Sequence, residues 1–407
     1  MPENKTLLII GAGIEQIQAY TEAKKLGLHV IGTDINPNAP AFKHADDQII
    51  ASTRDPMDTI YKVKQYHDKK KINGVMTVAN DVPLTVSKVA DALNLPSVPI
   101  KLAEIFSDKY KMKKFFEQKN IRTPDCRLAY SKDDVMKALR EWSYPIIIKP
   151  IDGRGSRGVI LIRDENDLDY YDHSLSTSEK DYLLVEKYIN GKQFSSESLI
   201  YDGVCYTAAI SERNYDQLDN LRPFVIENGG VIPANISKND EELINKTLEE
   251  LASKIGLRNG TIKGDIVMSE DGPSIIEIAL RLSGGYLATE QIPRSRGINL
   301  VKQVIKLALG ETLQKDEIIP KNICSIGIRY FFPEPGKITA IEGYHELEEY
   351  DWITKKGLFL DVGEVVPFPE NHTVRAGFLH AIGDTIEEAE ARAIKASNLV
   401  KIRTVPF

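Results

Sequence analysis

The sequence predicts an α/β chain in three consecutive parts, and three observations predict it. Over 7–93, short apolar runs alternate with helix-like stretches, the βαβ pattern of a parallel sheet with right-handed crossovers. Over 104–314, helices mix with period-two strands and glycine-rich loops, and over 315–407 a short strand-and-helix set follows. The 407 residues suffice for two to four domains at roughly 100–200 residues each. With 42% hydrophobic and 27% charged residues, the composition excludes disordered, collagen-like and coiled-coil classes. A net charge of −7 supplies no global positive field, so neither nucleic acid nor a membrane is an expected partner. Cys126, Cys205 and Cys324 have no metal-site spacing, and the apolar run after Thr6 is too short for a leader or a span. Reduced thiols and a cytoplasmic location are therefore expected.

Taken in order, strands are expected at 7–10, 29–33 and 74–78, with helices over 14–26, 56–68 and 82–93. Gly11, Ala12 and Gly13 follow the first strand, and Asp34 stands 21 residues after Gly13, an outline like a dinucleotide-binding turn. The third glycine position holds Gln16, which would crowd the helix against the strand, so a structural turn is expected and Asp34 reads as a loop acid. Ser107 is the expected N-cap of a helix that begins around Lys109. Asn239 with Glu242 marks the start of an amphipathic helix closed by Gly256. Strands over 261–268 and 274–280 form a hairpin with a five-residue loop, and 325–330 is a further strand. Thr385, with Glu388 three residues on, starts the last helix.

Two motifs carry chemistry. The apolar strand Ile146, Ile147, Ile148 ends in Lys149 and Pro150 and leads into Gly153, Arg154, Gly155, Ser156, Arg157 and Gly158. Glycines free the backbone to aim N–H groups at phosphate oxygens, and the three cations add charge, as a nucleoside triphosphate requires. In the hairpin, pairing Met268 with Ser274 sets Asp265 opposite Glu277, with Cβ atoms about 4.5–5.5 Å apart. Two acids so placed repel unless a cation separates them, and an all-oxygen pair suits Mg²⁺. Alternation puts Glu277, Ala279 and Arg281 on this face and Ile276, Ile278 and Leu280 in the core. A plain ion pair between Arg281 and Glu277 is the alternative reading of that arginine.

These features, in this order, resemble the ATP-grasp superfamily, specifically its branch of L-amino-acid ligases and carbamoyl-phosphate-synthetase-like enzymes. The residues that carry the resemblance are Ser107-Asp108-Lys109, Lys149-Pro150 with the glycine loop, the run 185–191 around Glu186, and 277–285 around Arg281. Ile328-Arg329-Tyr330-Phe331-Phe332-Pro333 and Arg375-Ala376-Gly377 look like the C-terminal domain of L-amino-acid ligases. The resemblance implies an ATP-grasp fold in three domains. A Rossmann-like domain would occupy 1–103, a nucleotide-binding domain 104–314 with a mobile lid at about 124–187, and a small α+β domain 315–407. It implies Lys109 and Lys149 on ATP phosphates, with Gly153, Arg154, Gly155, Ser156 and Arg157 as a lid loop over them. Glu186, Lys187, Tyr188 and Ile189 would edge the adenine, and Gln193 would sit near the ribose, where the family carries an acid or histidine. Asp265 and Glu277 would hold Mg²⁺, with Mn²⁺ as the substitute, and Arg281 would be the catalytic arginine. Ala279 stands where the family has asparagine, a place a retained water can fill.

The activity implied is an ADP-forming carboxylate–amine ligase acting through an acyl phosphate on small molecules. Glu227 and Arg294 are candidates to hold substrate ammonium and carboxylate. A homodimer is left open. The alternatives are an ATP-grasp enzyme using bicarbonate or formate in purine-type metabolism, a nucleotide-binding regulator without turnover, and a nicotinamide oxidoreductase, which Gln16 disfavours.

Overall fold

The computed structural model describes residues 5–406. β1 (Thr6–Ile10), β2 (His29–Asp34), β3 (Asp47–Ile50) and β4 (Gly74–Met76) form a parallel sheet in the order β3-β2-β1-β4. Period two splits β1 between two cores. Leu7 and Ile9 pack with Ala19, Tyr20 and Ala23 of α1 (Ile17–Lys25), whereas Leu8 and Ile10 pack with Val63 of α2 (Pro56–His67) and Val89 of α3 (Pro83–Ala92). β3 is absent from the sequence expectation because only Ile49 of its four residues is buried, too little alternation to register.

The glycine turn after β1 is held by hydrogen bonds within the protein. Gly11 has φ +100°, Gln16 is buried with Nε2 donating to Val78 O at 2.8 Å, and Asp34 accepts from Ala12 N and Asn36 N at 3.0 Å each.

α4 (Ile100–Phe106) and α5 (Lys109–Gln118) lead out of this sheet. The N-cap of α5 is Asp108, one residue later than expected, because its carboxylate accepts from Lys111 N at 2.9 Å while Ser107 closes α4. β5 (Cys126–Ala129), β6 (Ile146–Lys149), β7 (Ile160–Ile162) and β8 (Leu183–Lys187) make an antiparallel sheet in the order β5-β8-β6-β7. Its own core joins Ile146, Ile148, Ile160 and Val185 to Val135 and Ala138 of α6 (Lys132–Trp142) and Tyr171 of α7 (Tyr171–Ser176).

The remaining strands are β9 (Lys192–Tyr201), β10 (Val204–Asn214), β11 (Gly229–Ile232), β12 (Gly260–Ser269), β13 (Gly272–Ala279), β14 (Ser325–Phe331), β15 (Gly336–Glu342), β16 (Ile353–Leu358), β17 (Val365–Val366), β18 (Gly377–Gly383) and β19 (Lys401–Val405). Eight of them form one sheet, β13-β12-β9-β10-β11-β14-β18-β16, and β17-β15-β19 form another. The large sheet passes from β11 to β14 through antiparallel pairs such as Val231 with Gly327. α8 (Lys238–Ile255) packs Ile244, Leu248 and Leu251 against it and is capped by Ser237 rather than Asn239, with Gly256 left-handed at φ +71° as expected. Thr385 caps the last helix (Ile386–Leu399), accepting from Glu388 N at 3.2 Å.

Candidate active site

A cavity of about 840 Å³ opens where the N-terminal sheet, the β5-β8-β6-β7 sheet and the eight-stranded sheet approach one another. Its walls include Lys109, Lys149, the loop 153–157, Glu186, Lys187, Tyr188, Ile189, Gln193, Glu227, Asp265, Glu277 and Arg281. Arg294 is not brought there: it pairs with Glu290, four residues earlier on its own helical segment, at 3.1 Å. The arginine that the C-terminal region does deliver is Arg375, buried, its guanidinium carbon 3.5 Å from the centre of the Tyr330 ring.

Asp265 and Glu277 face each other, but by a different route from the expected register. Ser269 pairs with Gly272 and Val267 with Ser274, so the turn has two residues rather than five, and a bulge on β13 then restores Asp265 opposite Glu277. The bulge also corrects one orientation. Ile276 lines the cavity while Ile275 and Ile278 fill the core, giving the cavity an apolar patch with Val267, Ile147 and Met112.

Each acid leans on protein cations. Asp265 accepts from Ser195 Oγ at 3.0 Å and Arg213 Nη1 at 3.1 Å, and Lys263 bonds its other oxygen. Burial alone would raise its pKa; the Lys263 ammonium and Arg213 guanidinium outweigh that and hold the carboxyl well below the usual range. Glu277 lies 3.4 Å from Lys109 Nζ, which also donates to Gly153 O of the lid loop at 2.6 Å. Among the described residues no cluster of three or more metal-capable side chains exists, so this pair is the oxygen donor set on offer.

Lys149 and Lys113 share Glu186, at 2.7 and 3.0 Å, with all three side chains at most 5% exposed. The Glu186 carboxylate is therefore an internal counter-ion, and its main chain pairs with Cys126 on one side and Ile147 on the other. Lys187 N is also taken, by Asp125 O at 2.9 Å, which leaves Tyr188 and Ile189 as the cavity-facing link into β9. In the lid loop, Gly155, Ser156 and Gly158 all have positive φ, and a Cβ on Gly158 would lie 2.2 Å from Thr177 Oγ1. Ser156 Oγ bonds Val225 O and His372 N donates to Gly155 O at 3.0 Å, so the loop is fastened down over the cavity.

Arg281 does not pair with Glu277. Its Nε donates to Asp81 at 2.6 Å, an acid of the β4–α3 loop, and Arg281 in turn holds Asp81 below the usual carboxylate range against the opposing effect of burial. Glu227 is in the cavity but engaged by Arg213, at 2.6 Å, while its main chain is held by Arg375 and His372. A side chain at Gly230 would place Cβ 2.5 Å from Glu212 O, so close strand packing sets that glycine. Arg213, Lys263 and Asp81 were not singled out from the sequence, and Arg375 stood there only in the C-terminal run with Ala376 and Gly377, without a role at the site. Lys263 carried a readable signal, since it sits two residues before Asp265 and so on the same strand face; the others come from distant segments.

Three family descriptions match the chain: ATP-grasp N-terminal domain over residues 20–97, ATP-grasp domain over 106–285, and L-amino acid ligase C-terminal domain 2 over 329–405. Carbamoyl-phosphate synthase of Methanobrevibacter smithii is 25% identical over 76% of this chain and 82% of its own length. The crystal structure of L-amino acid ligase from Bacillus licheniformis superposes with TM-score 0.84 at 23% identity, covering 100% of both chains. Phosphoribosylglycinamide synthetase from Anaerococcus prevotii gives TM-score 0.75 at 22% identity, covering 99% of this chain and 100% of that one. The chain belongs to the ATP-grasp superfamily, ligases that use ATP with Mg²⁺, and the opposed acids and ringed lysines of its cavity suit that pair.

Proposed function

We propose that this ADP-forming ligase joins a small carboxylate to an amine through an acyl phosphate, with an amino acid on at least one side. The observation that carries the reading is one cavity holding phosphate-type cations, opposed carboxylates, Arg281 and, beyond it, a chamber with Arg375 and aromatic rings. Lys109, Lys149 and the lid loop 153–157 bind and screen the triphosphate, and Val267 and Ile276 face the base. Asp265 and Glu277 are the residues that would hold Mg²⁺, which supplies charge neutralisation at the phosphates. Arg281, fixed by Asp81, faces the transferring phosphoryl group and the oxyanion of the following addition. The fastened lid excludes water from the acyl phosphate. Arg375 has a buried Nε without a partner among the described residues, a free donor for a substrate carboxylate. Arg294, which lies outside the cavity, has no part in this reading.

The test is ADP and phosphate release with Mg·ATP against amino acids, singly and in pairs, with bicarbonate and formate as further arms, beside Glu277→Ala and Arg281→Ala. Release that needs a carboxylate and an amine together, and is lost in both variants, supports amide formation. Release with bicarbonate or formate instead would move the substrate class, and tight nucleotide binding without release would indicate a regulator.

A further inference from the structure

Glu15 stands on the glycine turn whose dinucleotide reading Gln16 removes, and the ligase residues above leave it without a task. The turn nonetheless carries it into the cavity. Glu15 Oε1 accepts from Gly285 N at 3.0 Å, and Oε2 sits over Gly284, where a Cβ would lie 2.6 Å from it. Those glycines follow Arg281 within four residues, so the carboxyl is placed beside the group that faces the reacting carbon. The charged and titratable groups around it are Arg281, Arg375, Tyr286 and Tyr330.

The other cavity acids are engaged. Asp265 is bound by Lys263 and Arg213, Glu277 by Lys109, Glu227 by Arg213, Asp81 by Arg281 and Glu186 by two lysines. Asp152 is turned into the lid, where it accepts from Ser178 Oγ and Glu179 N. Glu15 is held by a main-chain N–H, with one oxygen left for a ligand. Burial also pushes its pKa up, against the pull of Gly285 N–H and the two guanidiniums, which makes it a stronger base than a solvated carboxylate.

The geometry points to Glu15 as the general base of the amide-forming half-reaction, taking a proton from the ammonium group of the incoming amine. This rests on the ligase reading above. The Glu15 carboxylate takes one proton from the ammonium, freeing the nitrogen lone pair. That pair forms the C–N bond to the acyl carbon, the C–O bond to phosphate breaks, and the second nitrogen proton leaves with inorganic phosphate. Glu15 then returns its proton to solvent.

The test separates the two half-reactions in the full-length chain. With Mg·ATP and a panel of proteinogenic L-amino acids as carboxylates, hydroxylamine traps acyl phosphate as hydroxamate; as a nucleophile uncharged near neutral pH it needs no base. The same panel supplied as amines reports amide formation. For Glu15→Gln, which keeps the acceptor to Gly285 N, the expected result is hydroxamate formation changed by no more than a few fold. Amide formation falls roughly 10²–10⁴-fold at neutral pH and recovers as pH rises and free amine accumulates. Glu15→Asp should lie between. Equal loss in both assays, or no loss in either, overturns the assignment. Absence of hydroxamate from every carboxylate in the unmodified chain overturns the ligase reading, and this inference with it.

Discussion

Arg281 Nε and Asp81 Oδ1 meet at 2.6 Å across 200 residues of sequence, joining the end of β13 to the N-terminal sheet. The junction is reinforced by the main chain: Val78 pairs with Leu282 in parallel, and Ala79 N donates to Leu282 O at 3.1 Å. The acid therefore aims the arginine. Asp81→Asn keeps the shape and removes the charge, so kcat for ADP release should fall roughly tenfold to a hundredfold while KM for ATP stays within about twofold. A raised KM with kcat intact would sink the idea.

The two opposed acids should separate in their effects on stability. Glu277, 35% exposed, has one cation neighbour, whereas Asp265 compensates both Lys263 and Arg213. Chelation with EDTA should abolish turnover and added Mg²⁺ restore it. Glu277→Gln and Asp265→Asn should each raise the Mg²⁺ requirement, roughly tenfold to a hundredfold or more. Only Asp265→Asn should also lower the thermal midpoint, because it leaves the largely buried Lys263 without its anion and Arg213 with Glu227 alone.

Charge balance also orders the variants of the Lys113–Glu186–Lys149 cluster. Glu186→Gln leaves two buried ammonium groups without an anion and should cost about 3–5 kcal/mol. Lys113→Met leaves Glu186 and Lys149 as a neutral pair and should cost less, about 1–3 kcal/mol. Thermal midpoints in the reverse order would contradict the shared counter-ion.

Glu197, beneath the Arg281 loop, gives a pH dependence of stability. Burial pushes its pKa up to about 7, against hydrogen bonds from Ser283 and the charges of Arg281 and Lys263. An acid raised in the folded state binds its proton more tightly folded than unfolded. Its contribution is therefore complete below about pH 4 and is lost as pH climbs to 7, about 3 kcal/mol in all. The thermal midpoint of Glu197→Gln should vary less between pH 5 and 7.5 than that of the unmodified chain. Equal slopes would show that Glu197 does not titrate there.

That Lys109, Lys149, the glycine loop and the run after Glu186 line one cavity was approachable from the sequence because these groups lie in short runs whose spacing survives in one dimension. The opposition of Asp265 and Glu277 was reached through a hairpin register shifted by one residue, and a bulge no residue pattern announces brought the pair back into line. Ile276 shows the cost of missing it, since strict alternation sends it to the core. Three helix starts divide for a related reason: Thr385 was read correctly, whereas Asp108 and Ser237 compete with equally plausible neighbours. The substrate side was less legible. Arg294 looked suitable by type, yet its partner lies one helical turn away, and Arg375 reaches the cavity only because the large sheet carries β18 alongside β14.

That sheet also limits how the protein can be cut. Val231 and its neighbours on β11 are fully covered, with β10 on one flank and β14 on the other. A fragment ending at residue 314 would keep β11 and lose β14, turning an interior strand of four buried residues into an unprotected apolar edge. Chimaeras and expression fragments that keep the nucleotide site should therefore retain β14, β18 and β16 with it; without them, self-association through the bared strand is the expected fate.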